Sequence, residues 1–323
     1  MPIDPRTLAL LTLAVGLPLG GLGAVALQPA GAEAHAPDGW LPHPTRIHSL
    51  GEGGDPDALP APVNEAAEGP LVVVLGCVQA LSPTAPRADR LDARLAAHLA
   101  PHDVQVRTAG VKGYSILQLA RLMEERVWAW GPDLLVLTGP QSDRMEAPSS
   151  DAARLAALDA RWWPRLRLSA GGWWLLGPPT AWITAGADWV EAPAGPPAPR
   201  VDPEAYARAL DALLLEAARR EVGAVLLPMV EPAWRPGQDD PWVDAMRRIG
   251  TRREVASVDA AAALEAQGLY GHQALDGQVP SPAALDAYAG FTAMLLEDRG
   301  WPEARLAPAL AAPPYAEPLG KPE

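Results

Sequence analysis

Cys77 is the only cysteine in the chain and its only thiol. A thiol nucleophile needs a base within reach and a group that orients the base. His272, four residues before Asp276, is the candidate base. Two blander readings stand beside that one: a buried, unreactive thiol and a histidine on a surface loop. A single cysteine excludes any multi-cysteine zinc or iron–sulfur site. His35, His43 and His48 fit no compact metal motif, so neither a metal nor a cofactor is expected. His98 and His102 follow an apolar stripe and read as helix-end groups.

The elements that must position these residues alternate regularly. Leu71 to Leu75 is a short apolar run, as for a strand buried on both faces of a parallel sheet. After Gly76 and a polar loop, Arg87 to Leu99 reads as a helix striped by Leu91, Leu95 and Leu99. Val104 and Val106 mark a strand ending at Gly110. After Gly113 a second helix carries Ile116, Leu119, Met123 and Val127 on one face, and the strand Asp133 to Thr138 stops at Gly139-Pro140. The alternation resumes with a helix from Asp202-Pro203, lined by Tyr206, Leu210, Leu213, Leu214 and Ala217. A strand Ala224 to Leu227, a helix around Trp242 to Ile249, a short strand around Val255 to Val258 and a helix after Pro282 complete it. The fold expected is α/β, a three-layer, doubly wound, mostly parallel sheet whose ligands bind beyond the carboxyl ends of the strands. Lys112, the only lysine between residues 70 and 298, then falls in a strand-end loop and is a ligand candidate. Asp143 and Arg144 read as a solvated pair at the cleft mouth, with an anion- or sugar-facing role as the alternative.

Four blocks in this order resemble those of the SGNH (GDSL-type) esterases and lipases. They read Val74-Leu75-Gly76-Cys77-Val78, Ala109-Gly110-Val111-Lys112-Gly113-Tyr114, Leu137-Thr138-Gly139-Pro140-Gln141-Ser142 and Leu275-Asp276-Gly277-Gln278-Val279-Pro280. The resemblance spans roughly residues 70 to 298 and implies a flavodoxin-like SGNH hydrolase fold. It further implies a serine nucleophile in the first block and an oxyanion hole from the first three. The last block would supply a histidine base oriented by an aspartate. The departures fall on the chemistry. Val78 stands at the serine position, Val279 at the histidine position and Gln141 at the asparagine donor position, while Asp276 and Gly113 match. Gly76, Gly113 and Gln141 are the oxyanion-like candidates. Losing nucleophile and base removes nearly all covalent catalysis. The resemblance therefore points to a noncatalytic domain kept for binding or assembly. Its alternative is an ester hydrolase, acting on an acyl or acetyl ester of a glycan or lipid, with a noncanonical site around Cys77, His272 and Asp276.

Six of the 12 tryptophans (Trp162, Trp163, Trp173, Trp174, Trp182 and Trp189) crowd an insertion at residues 160–195 that breaks the α/β rhythm. They read as a satellite core, as a contact surface for a membrane or an envelope protein, or as a glycan- or lipid-binding platform. Trp173, Trp174 and Trp182 are the contact candidates.

At the other end, Arg6 precedes an apolar run from Leu8 to Leu27, about 20 residues and long enough to span a bilayer as an apolar helix. Ala32-Glu33-Ala34 supplies a small-x-small cleavage site, so residues 1–34 read as a signal anchor or a cleaved signal peptide. Either sends the domain to the periplasmic or exterior side. Residues 35–69 read as a Pro/Gly-rich spacer and 299–323 as a Pro/Ala-rich tail. The net charge of −13 and pI of about 4.9 argue against a nucleic-acid partner.

Overall fold

The computed structural model describes residues 40–43, 47–50, 59, 62–64, 66–76, 87–110, 113–147, 149–159, 196–229, 239–269, 275–276, 279–310 and 315. The chain divides into two units, Met1–Ala58 with Ala153–Pro193 and Leu59–Ala152 with Ala194–Glu323. The described part of the first unit includes a hairpin, β1 (Trp40–His43) against β2 (Ile47–Leu50), antiparallel with Trp40 opposite Leu50. The apolar run Leu8 to Leu27 lies outside the described residues. Among those described, no helix is long and apolar enough to cross a membrane.

The second unit is built on five parallel strands: β3 (Leu71–Leu75), β4 (Gln105–Ala109), β5 (Leu134–Gly139), β8 (Gly223–Pro228) and β9 (Ala256–Ser257). Their order is β4-β3-β5-β8-β9. Numbered within the sheet this is 2-1-3-4-5, the flavodoxin-like order that the resemblance implied. Central strands are apolar throughout because each face is covered: Val72 to Leu75 and Leu134 to Leu137 are all buried.

One face packs against helices α1 (Leu91–His98), α7 (Ala260–Ala266) and α8 (Pro282–Asp298). Val72, Val74, Leu134, Val136, Val225 and Leu227 point that way, meeting Leu91, Leu95, Leu285 and Tyr288. Their neighbours point to the opposite face. There α2 (Ile116–Glu125), α5 (Pro203–Arg219) and α6 (Pro241–Arg252) form the third layer. Helix starts follow local chemistry. Asp202, Asp240 and Ser281 each precede a proline, and each accepts a backbone N–H of its helix's first turn. Helix α7 was not expected from sequence, because an alanine run carries no contrasting apolar stripe.

Three segments between the main elements complete the unit. They are the one-turn helix α3 (Gln141–Arg144), the short pair β6 (Glu146–Ala147) and β7 (Ala198–Pro199), and the start of helix α4 (Asp151–Asp159), which passes into the first unit at Ala153. A second short pair, β10 (Leu275–Asp276) and β11 (Val279–Pro280), precedes α8.

Two segments expected to lie outside the domain are part of it. In the stretch read as spacer, the Val63 N–H donates to the Val106 carbonyl at 2.9 Å and Asn64 Oδ1 accepts the Val106 N–H at 3.0 Å. Asn64 Nδ2 donates to the Val104 carbonyl. Asn64 thus does with its side chain what a neighbouring strand would do with its backbone, and it covers the outer edge of β4. In the stretch read as tail, Trp301 is buried in the core beside α8, and the Leu306 carbonyl accepts the Ala224 N–H at 3.0 Å.

Candidate functional site

In the 2-1-3-4-5 order the chain reverses direction across the sheet at β3 and β5, and the crevice beyond their carboxyl ends is where such folds place ligands. Gly76, Gly110 and Gly139 all lie at this edge. Leu75 pairs with Ala109 on one side and Leu137 on the other. Thr138 Oγ1 donates to the Leu75 carbonyl at 3.3 Å. The backbone of Gly110 runs against that of Gly76: a β-carbon at Gly110 would sit 1.9 Å from the Gly76 oxygen. Glycine at position 110 is therefore a condition for the first two strand ends to lie this close.

The second loop turns through Gly113, whose φ of 79° lies in the left-handed region. Ser115 caps α2 reciprocally with Gln118, and the Ser115 N–H donates to Gln118 Oε1 at 3.0 Å. The Ile116 N–H donates to Asp143 Oδ1 at 2.9 Å. Asp143 is buried, which corrects the reading of a solvated Asp143–Arg144 pair. A one-turn helix after Pro140 turns Asp143 inward to α2 and leaves Arg144 to pair with Asp240 at the start of α6. Burial pushes the Asp143 carboxyl up to about 7. The Ile116 N–H and the nearby Arg200 charge pull the other way without cancelling it.

Sequence reading missed the centre of this region. Arg200 is buried and grips buried Asp151 with both ends of its fork, Nε to Oδ1 at 3.1 Å and Nη2 to Oδ2 at 2.7 Å. It also donates from Nη2 to Gln118 Oε1 at 2.7 Å and from Nη1 to the Gly113 carbonyl at 2.6 Å. Ser115 and Gln118 at capping-box spacing were legible in the sequence. Nothing local marks Arg200 as the partner of a residue 49 positions earlier.

Of the residues proposed from sequence, Gly76, Gly113, Gln141 and Asp143 all fall at or beside the strand ends, and Arg144 is turned to α6. Asp276 and Val279 are described by backbone alone, as Cα partners across β10 and β11. Cys77, Val78, Lys112, His272, Trp173, Trp174 and Trp182 lie outside the described residues. Among the described residues no group of three or more His, Cys, Asp or Glu could hold a metal ion.

No protein-family model matches the sequence. No curated protein matches either. Solved structures do. An alpha/beta hydrolase enzyme from the metagenome of Lake Arreo, Spain, is 18% identical over 73% of this chain and 96% of its own, with a TM-score of 0.47. An acetylxylan esterase from Geobacillus stearothermophilus is 16% identical over 72% and 95%, also at 0.47. A protein assigned to the lipolytic G-D-S-L family, from Desulfitobacterium hafniense DCB-2, is 13% identical over 70% and 99%, at 0.45. This chain is an α/β protein with a doubly wound parallel sheet, similar to solved hydrolases of the GDSL type.

Proposed function

We propose that this chain is an exported or membrane-tethered SGNH-hydrolase-like domain that binds or assembles and does not hydrolyse esters. One observation carries the reading. Gly76, Gly110 and Gly139, from the three blocks that resemble the family's site, lie at one sheet edge, and Val78 and Val279 stand at the positions that resemble its nucleophile and base. Valine has no proton to lose and no lone pair to accept one, so Asp276 orients a base that is absent. The polar groups described near that edge are engaged internally, Asp143 with the start of α2 and Arg144 with Asp240. Even with a ligand oxygen held at the strand ends, binding without an activated nucleophile leaves the acyl-transfer barrier high. A glycan or lipid ester is the ligand class the resemblance suggests, and the Trp-rich segment is the proposed contact with a membrane or envelope protein.

The test is turnover of short-chain activated esters by the purified wild type, Cys77→Ala and His272→Ala. No turnover above background is expected from any of the three. Clear wild-type turnover abolished by both substitutions would overturn the reading and make Cys77 and His272 nucleophile and base.

A further inference from the structure

We infer that Arg200 is a positioning residue: from the neck of the insertion it sets the Gly113–Tyr114 peptide and the first turn of α2. This goes beyond the proposed function and holds whether the strand-end site binds or reacts.

The neck is closed by backbone bonds. Glu146 pairs with Pro199 and Ala147 with Ala198. The Arg200 N–H donates to the Met145 carbonyl at 2.9 Å, the Asp151 N–H to the Arg200 carbonyl at 2.9 Å, and the Val201 N–H to the Asp143 carbonyl at 3.1 Å. Chain leaving at Asp151 thus returns at Arg200. From that fixed base the guanidinium reaches three groups in different segments: Asp151, Gln118 and the Gly113 carbonyl. The guanidinium makes four hydrogen bonds from three nitrogens held apart in one plane, and a lysine ammonium, with three donors on one atom, cannot reproduce them all. Gln118 Oε1 receives both Arg200 and the Ser115 N–H, so the capping box of α2 is itself held in place by Arg200.

Stability alone does not account for such a group. A buried ion pair is costly to desolvate, and apolar residues of similar volume often replace one at no loss. The specific product of this pair is the direction of the Gly113 carbonyl, hence the orientation of the Gly113–Tyr114 peptide at the second strand end.

Amide hydrogen exchange on the full chain separates positioning from stability. Arg200→Met should raise exchange at residues 114–119 about tenfold or more while amides of β3 and β5 stay protected. The double variant Arg200→Met with Asp151→Leu removes the stranded carboxylate. It should melt at or near the wild-type temperature yet still exchange fast at 114–119. Recovery of both properties would make the pair merely structural and overturn the inference, as would wild-type protection in Arg200→Met. Should the single variant fail to fold, Arg200→Lys and the double variant decide. Wild-type protection of 114–119 in Arg200→Lys, or loss of folding in all three, also overturns it.

Discussion

Asp143 shows how much a single side chain's surroundings matter. As an Asp-Arg dipeptide in a loop it reads as solvated, and nothing in the sequence shows that a one-turn helix will bury it. Its carboxyl is raised by burial to about 7, whereas an aspartate in the unfolded chain titrates near 3.9. Between those values the native state holds a proton that the unfolded state has released. The contribution to stability is therefore complete below about pH 4 and declines as pH rises through about 7, by at most ~1.4 kcal/mol per unit. Asp143→Asn keeps an acceptor for the Ile116 N–H and removes the titration. Melting followed from about pH 5 to about pH 8 should show the wild type losing ground to the variant. A difference that stays constant across that range would mean Asp143 does not titrate there.

At the scale of elements, periodicity made the sheet legible. The apolar runs beginning at Leu71, Leu134 and Ala224 became central strands, and Gly76, Gly110 and Gly139 lie at one edge as the doubly wound reading required. Contacts between distant segments were not legible, because they leave no period. Asn64 on β4 and Arg200 on Gly113 are pairings of this kind. The insertion can now be given boundaries: its neck is tied by β6, β7 and the Arg200–Asp151 pair. Replacing residues 153–195 with a five-residue Gly/Ser linker should leave the second unit folded. Shortening a loop of roughly forty residues to five removes about three doublings of length, ~2 kcal/mol of closure cost. Circular dichroism and a cooperative melt at or above the wild-type temperature are the expected results. Collapse of the melt would mean that the insertion supplies part of the core.

For the whole molecule, the described chain as far as Tyr315 is tied into the domain. Arg253, fully buried, pairs with Asp211 through both ends of its fork and donates to the Ala309 carbonyl at 3.1 Å. Asp211 also accepts the Tyr315 N–H at 2.9 Å. Burial alone would raise the Asp211 carboxyl, but these donors and the Arg252 charge outweigh it and hold it below the usual range. An extension after Glu323 is therefore a fair reporter of where the domain resides. Because Arg6 precedes the Leu8–Leu27 run, we predict that a topology reporter placed there is active only if it works on the outer side of the membrane. Activity solely of a cytoplasmic reporter would sink the proposed export.

The Asn64 clasp has a mechanical consequence. Tension drawn along the chain from before Pro62 does not reach Leu71 and the central sheet directly. It first meets Val63 and Asn64 on the flank of β4, then the Gly69 N–H held by the Asp103 carbonyl at 3.1 Å. Those few bonds would part while the five strands stayed paired. Pulled from this end, the domain would lengthen slightly at low load and keep its strands in register, with the clasp acting as a fuse.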